Sequence, residues 1–392
     1  MRVTGQSQPE LALLLAIARV GLTESEKRHL NELLAAGPDW QRLLALAEMH
    51  GLEALLFIHL KQNAAGMVPA AVMESLRETS NRIAGRNLIL AKRLEAVSAH
   101  LRARGIEHAA FKGPLLAEVY YGNCALRFTH DLDLVVPAHC AAAARDALSE
   151  MGFRDQFGLD EAQQALVFRF NYEHGFKAAD GVLVDLHWGL APKLSARKID
   201  MAGLWRRVRL AKLMDGEVPM FGAEDLLFSL ALHAGNDNHA WSQFSQFCDM
   251  AEVLRAHPKF DWAIVEIHLG GENIRRSVYV SLYILEKHWQ AGIPEEMFAK
   301  ICSDPEVARL ADRVEAEWWP MPTQVETKPT LEWLLARSRG ESMVNRARLL
   351  IGQALTPTRN DFHAVKLPGA LEWLYPVVRL ARIVGGSAAR AV

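Results

Sequence analysis

Asp131-Leu-Asp133-Leu-Val-Val136 is an acidic run set on apolar spacing. On a strand, residues two apart leave the same face, so the Asp131 and Asp133 carboxylates project together while Leu132 and Leu134 can enter a core. Two like charges at the end of an apolar strand are costly without a partner, and a divalent cation is the partner that spacing suggests. Asp185, in Val184-Asp-Leu-His187, sits on a second strand able to lie beside the first. It would complete an oxygen-rich set for Mg2+, with Mn2+ as the alternative ion. Mg2+ is usually held by one or two carboxylates plus substrate phosphates, so a nucleoside triphosphate, with ATP expected, would supply the remaining oxygens. Lys112, Arg127 and the backbone amides after Gly113 suit its phosphates, because a helix start presents free N–H groups and positive potential. Two such ions clamp the attacking and leaving oxygens of an in-line displacement, and Asp185 would orient or deprotonate an acceptor hydroxyl. His187 shares the strand face of Asp185 and could orient it, touch substrate, or fill space.

These residues need particular elements around them. Ile106 to Phe111 reads as a short strand ending at Lys112-Gly113-Pro114, where glycine can cap and proline can open a helix. Gly122 can end that helix. The acidic strand is followed by Pro137 and an alanine-rich helix closed by Gly152. Phe168, Phe170, Tyr172, His174 and Phe176 alternate with polar residues, then Asp180-Gly181 supplies turn chemistry before Val182 to His187. That pattern predicts a hairpin. Before Gly105 and after Trp188 the apolar spacing is helical.

Composition narrows the classes. With 392 residues, 50% hydrophobic and 23% charged, the chain must bury a large core in two or three units. Lys+Arg 44 against Asp+Glu 46 leaves a net charge of -2, so no global basic field exists to hold long nucleic acid. Cys124, Cys140, Cys248 and Cys302 lie far apart without a CxxC, which fits reduced thiols in a cytoplasm. The apolar run from Pro368 to Gly385 is broken by Glu372, Pro376, Arg379 and Arg382, short of the roughly 20 clean residues of a bilayer span. The ten tryptophans read as core and interface mass.

A glycine turn opening a helix, a strand reading Asp-apolar-Asp-apolar and a later carboxylate strand together resemble the polymerase-beta-type nucleotidyltransferase superfamily. Phe111-Lys112-Gly113, Arg127, Asp131 to Val135 and Val184-Asp185-Leu186-His187-Trp188 more narrowly resemble a bacterial family of uncharacterised nucleotidyltransferases. Leu232-His233, His239-x-Trp241, Cys248-Asp249 and the late stretch Leu367 to Arg382 extend the resemblance. Lys112-Gly113 stands further from the acidic pair than is usual in the superfamily. The resemblance implies transfer of a nucleoside monophosphate to an acceptor, here a hydroxyl or phosphate on a small molecule or peptide. The expected fold is α+β: a small mixed-sheet core at 105–190 between mainly helical regions at 1–104 and 191–392. Two other readings stand beside it. One is a non-catalytic nucleotide-binding or scaffold protein; the other is a phosphohydrolase using His233, His239 and Asp249. Arg127 has an alternative too, pairing with Asp131 or Asp133.

Overall fold

The computed structural model describes residues 9–192, 199–235, 240–270, 272–318, 347, 351–352 and 354–388. Helices come first: α1 (Pro9–Ile17), α2 (Glu24–Ala35), α3 (Trp40–His50), α4 (Glu53–Asn63) and α5 (Ala70–Ala103). Thr23 and Glu26 form a capping box on α2, and Gly51 ends α3 in the left-handed region at φ 67°. The 34-residue α5 is about 50 Å long at 1.5 Å per residue. It buries Leu76, Ile83, Leu90, Leu94, Val97 and Leu101 against the rest of the molecule, a helical spacing of apolar residues.

The central segment carries β1 (Ala109–Ala110), α6 (Gly113–Tyr121), β2 (Leu132–Val135), α7 (Ala141–Glu150), β3 (Arg154–Asp155), α8 (Glu161–Phe170), β4 (Glu173–Lys177) and β5 (Leu183–His187). Next come α9 (Met201–Arg206), β6 (Arg209–Leu213) and β7 (Gly216–Met220). Among the described residues these strands form one mixed 7-stranded sheet ordered β3-β4-β5-β2-β1-β7-β6. β2 lies parallel to β5 and antiparallel to β1, while β1 lies parallel to β7. Helices α10 (Ala223–Ala234), α11 (Phe244–Ala256), α12 (Trp262–His268), α13 (Glu272–Trp289), α14 (Glu295–Cys302) and α15 (Pro305–Glu317) follow. Two further helices, α16 (Arg359–Ala364) and α17 (Tyr375–Ala388), complete the described chain. No described helix is long and apolar enough to cross a membrane.

The expected α+β class is the class observed, with the small mixed sheet set among helices. Two expectations about elements are corrected. The strand expected from Phe168 begins only at Glu173, because residues 161–170 are α8. Asp160 and Gln163 form a capping box there, and Leu166 and Val167 bury one helical face. A local N-terminal cap thus outweighs an alternation that aromatic residues only mimic. The second correction lies beyond Trp188, where helical texture was expected throughout. The hairpin β6–β7 instead joins the sheet edge beside β1. Its signal is Asp215-Gly216 between two short apolar alternations.

Candidate functional site

The strand register gathers the acidic residues. Parallel pairing puts Asp133 opposite Asp185 and Val135 opposite His187. The antiparallel β4–β5 pairing puts Gly175 opposite Asp185 and Glu173 opposite His187. Paired residues share a sheet face, so Asp133, Asp185, His187 and Glu173 stand together, with Asp131 one step before β2. The opposite face, with Leu132, Leu134, Val184 and Leu186, is buried core. Space at Gly175 is tight: a Cβ there would displace the Gln156 side chain and lie 3.1 Å from Asp185 Oδ1.

Lys112 and Gly113 come from the β1–α6 turn. Gly113 has φ +71°, and a Cβ on it would meet the Asp131 carbonyl oxygen at 3.4 Å. Glycine therefore lets the start of α6 approach the acidic strand. No side chain caps the N-terminus of α6, so its first amides remain available to an anion. Lys112 Nζ lies 2.9 Å from Asp133 Oδ1 and 3.0 Å from His233 Nε2. His187 bridges two carboxylates, with Nε2 3.3 Å from Asp133 Oδ1 and Nδ1 3.2 Å from Glu173 Oε2.

Electrostatics sorts the carboxylates into two kinds. Burial alone would raise Asp133, but the Lys112 charge and the His187 hydrogen bond outweigh it and hold Asp133 well below the usual carboxylate range. Burial would likewise lower His187, yet its bonds to Asp133 and Glu173 push it up to about 10. The remaining two have no such support. Burial, then the charges of Asp133 and Asp131, push Asp185 up to about 7, and burial with the Asp133 charge also raises Asp131. The wall thus carries more negative charge than its own cations neutralise.

Arg127 is placed elsewhere than on the acidic pair. Its Nε and Nη2 donate to Asp249 at 2.7 and 2.8 Å, and the Tyr121 hydroxyl donates to the same carboxylate at 2.6 Å. Its Nη1 makes only long contacts of 3.4 Å to Phe128 O and Thr129 Oγ1. Asp249, the acid of the phosphohydrolase reading, is therefore spent on Arg127 and Tyr121. His239 of that reading lies outside the described residues.

One cavity of about 1220 Å3 joins these groups, lined by Lys112, Gly113, Arg127, Asp131, Asp133 and Asp185 together with Glu173, His187, His233 and Asp249. Its other side belongs to α3, the start of α4, one face of α5 and the first turn of α11. Sequence reasoning missed several contributors. Buried Asn87 donates from Nδ2 to the carbonyls of Cys124 and Arg127 at 2.5 and 2.6 Å, and Arg86 donates to those of Thr129 and His130. Helix α5 thereby pins the segment that delivers Arg127 and Asp131. Glu173 was assigned no task beyond its place in an alternating strand.

The donor set suits a hard divalent cation, since Asp131, Asp133 and Asp185 offer only carboxylate oxygens and two of them are raised by burial and by the neighbouring carboxylate charges. Among the described residues, however, no group of three or more His, Cys, Asp or Glu side chains is placed to hold a metal ion. Asp133 is instead turned to Lys112 and His187.

The carboxylates thus share one cavity with an uncapped helix start, on a mixed sheet set among helices. Residues 36–290, well over half the chain, match the family described as uncharacterised nucleotidyltransferase, and the chain belongs to that family. The stretch Leu367 to Arg382, expected to be part of the resemblance, falls outside the matched residues. None of the curated proteins compared with the chain is significantly similar to it. Among solved structures, the crystal structure of an antigenic nucleotidyltransferase-like protein from Paracoccidioides brasiliensis aligns at 13% identity. The alignment covers 57% of this chain and 92% of that one, with a TM-score of 0.31.

Proposed function

We propose that this chain is a nucleotidyltransferase of the polymerase-beta type, moving a nucleoside monophosphate from an NTP, with ATP the expected donor, to an acceptor hydroxyl. The observation that carries the reading is the wall of Asp131, Asp133 and Asp185, under-neutralised and open to a large cavity beside an uncapped helix start. Lys112 and the first amides of α6 would hold phosphate oxygens, and only Nη1 of Arg127 is left for that task. Asp131, Asp133 and Asp185 would hold Mg2+, or Mn2+, which when bound neutralises the triphosphate and the developing charge. Asp185 would also orient the acceptor hydroxyl or take its proton. The acceptor oxygen forms a bond to the α-phosphorus and the bond from that phosphorus to the β-phosphate oxygen breaks. Pyrophosphate leaves with its electron pair. His187, held between Asp133 and Glu173, positions Asp133 rather than exchanging protons. The acceptor is a small molecule or peptide, and the setting a reducing cytoplasm, in keeping with four free cysteines.

A second reading has its own support: Lys112 and His187 already satisfy Asp133, as they would in a protein that binds nucleotide without turning it over. The two separate on label. With Mg2+ and an extract of small metabolites, α-labelled ATP is expected to lose pyrophosphate and leave its label on an acceptor. Binding that returns all the nucleotide intact establishes the second reading instead.

A further inference from the structure

Among the described residues four strong cations line the cavity: Arg82, Arg86, Lys112 and Arg127. Two of them are spent on carboxylates, Lys112 on Asp133 and Arg127 on Asp249. The two from α5 are not. Arg86 Nε and Nη2 donate to the Thr129 and His130 carbonyls at 3.1 and 2.7 Å, and Arg82 Nη2 donates to Thr79 Oγ1 at 2.8 Å. Neutral oxygens hold a guanidinium in place without cancelling its charge. In each arginine Nη1 is left over for a ligand.

Their spacing adds to the effect. Residues four apart on a helix share a face at about 5–6 Å, so the two like charges repel, and an anion that touches both turns the repulsion into attraction. Glu53, on the same side, does not neutralise them. Burial and then the Glu48 charge push it up to about 7 against the opposing charge of Arg82, so at neutral pH much of it is protonated. Arg86 also stands beside the acidic wall. The carbonyls it holds belong to the two residues before Asp131, and the start of α6 packs on the same stretch, where a Cβ on Gly113 would lie 3.4 Å from Asp131 O and 3.7 Å from Thr129 Cγ2. The α6 amides and the α5 arginines thus flank residues 129–131, at most about 10 Å of chain.

We propose that Arg86 and Arg82 bind the β- and γ-phosphates of the nucleotide, the pyrophosphate that leaves, and that through them the site selects nucleoside triphosphates over monophosphates. A guanidinium fork matches two phosphate oxygens at once. The role is the one expected of Arg127, whose own fork is closed on Asp249. The inference rests on the nucleotidyl-transfer reading, whose leaving group it places.

Calorimetric titrations of the full chain with Mg2+ compare α,β-methylene-ATP, which cannot release pyrophosphate, with AMP. Wild-type protein is expected to bind the triphosphate analogue tighter than AMP by about tenfold or more. Arg86→Ala should cut that ratio by about tenfold, the scale of one charge-assisted hydrogen bond, and leave AMP affinity unchanged. Arg82→Ala should cut it by about threefold, as befits a more exposed charge, and serves if thermal melting shows the first variant unfolded, because its bond to Thr79 lies within one helix. A wild-type ratio near one, a ratio unchanged in the folded variants, or AMP weakened as much as the analogue overturns the inference. So does a variant that keeps the ratio but loses wild-type binding of glucose 6-phosphate, which places the arginines at the acceptor instead. The two claims fail separately: an intact preference in the variants removes only the arginine assignment, whereas wild-type protein that binds neither nucleotide removes the nucleotidyl-transfer reading.

Discussion

Two buried charge clusters in this protein are built alike and left in opposite states. Asp225, fully buried on α10, accepts from Arg207 Nε and Nη2 at 2.8 and 2.7 Å and faces His268 Nε2 at 2.8 Å. Its pKa is lowered because those bonds outweigh burial, and it lines no part of the large cavity. Asp133 has the same kind of support from Lys112 and His187, but it shares its wall with Asp131 and Asp185, which have none to match. The first cluster is closed and serves the fold. The second keeps unbalanced negative charge against an open cavity, the condition in which a cationic partner gains most. Buried ion pairs therefore mark a site only where they are incomplete.

The contrast can be broken at either end. The largest effect on stability is expected from Asp225→Ala, which strands Arg207 and His268 and should cost about 3–5 kcal/mol in urea unfolding. An unchanged midpoint would remove the distinction between the clusters. Asn87→Ala should cost about 2 kcal/mol, because two carbonyls lose their donor, and should slow label transfer by loosening the segment that carries Arg127 and Asp131. Asp185→Asn should act in the opposite direction. A carboxylate raised on folding is best tolerated at low pH, and its favourable margin is lost as pH climbs from the usual value of 3.8 through about 7. The variant is thus expected to be more stable than wild type by about 1 kcal/mol at pH 8 and no different at pH 4, read from thermal melts in chelator. Destabilisation at pH 8 would mean that Asp185 is satisfied after all.

The same contrast explains what was legible in the sequence. Asp131 and Asp133 were readable as sharing a face because a strand's period of two is a local rule, Asp185 as a residue of a second strand, and Lys112-Gly113 because a helix start has its own grammar; the parallel register that sets Asp185 opposite Asp133 is long-range and was not. The alternation at Phe168 and Phe170 misled because a helix with an Asp160 cap can carry aromatic residues at the same spacing. The hairpin at 209–220 carried a readable Asp-Gly turn, lost inside a long region of helical texture. Asn87 and Arg86 had no local signature at all. Each is one polar residue on a helix face, and only the tertiary fold turns it toward a carbonyl.

The most direct test is pyrophosphate release by Asp133→Asn against wild type, with ATP, Mg2+ and the metabolite extract, in protein whose melting shows it folded. Loss of the central carboxylate is expected to lower release by about a thousandfold, the order of one removed transition-state electrostatic contact. Release at the wild-type rate from folded Asp133→Asn protein would contradict the claim that this acidic wall performs the chemistry.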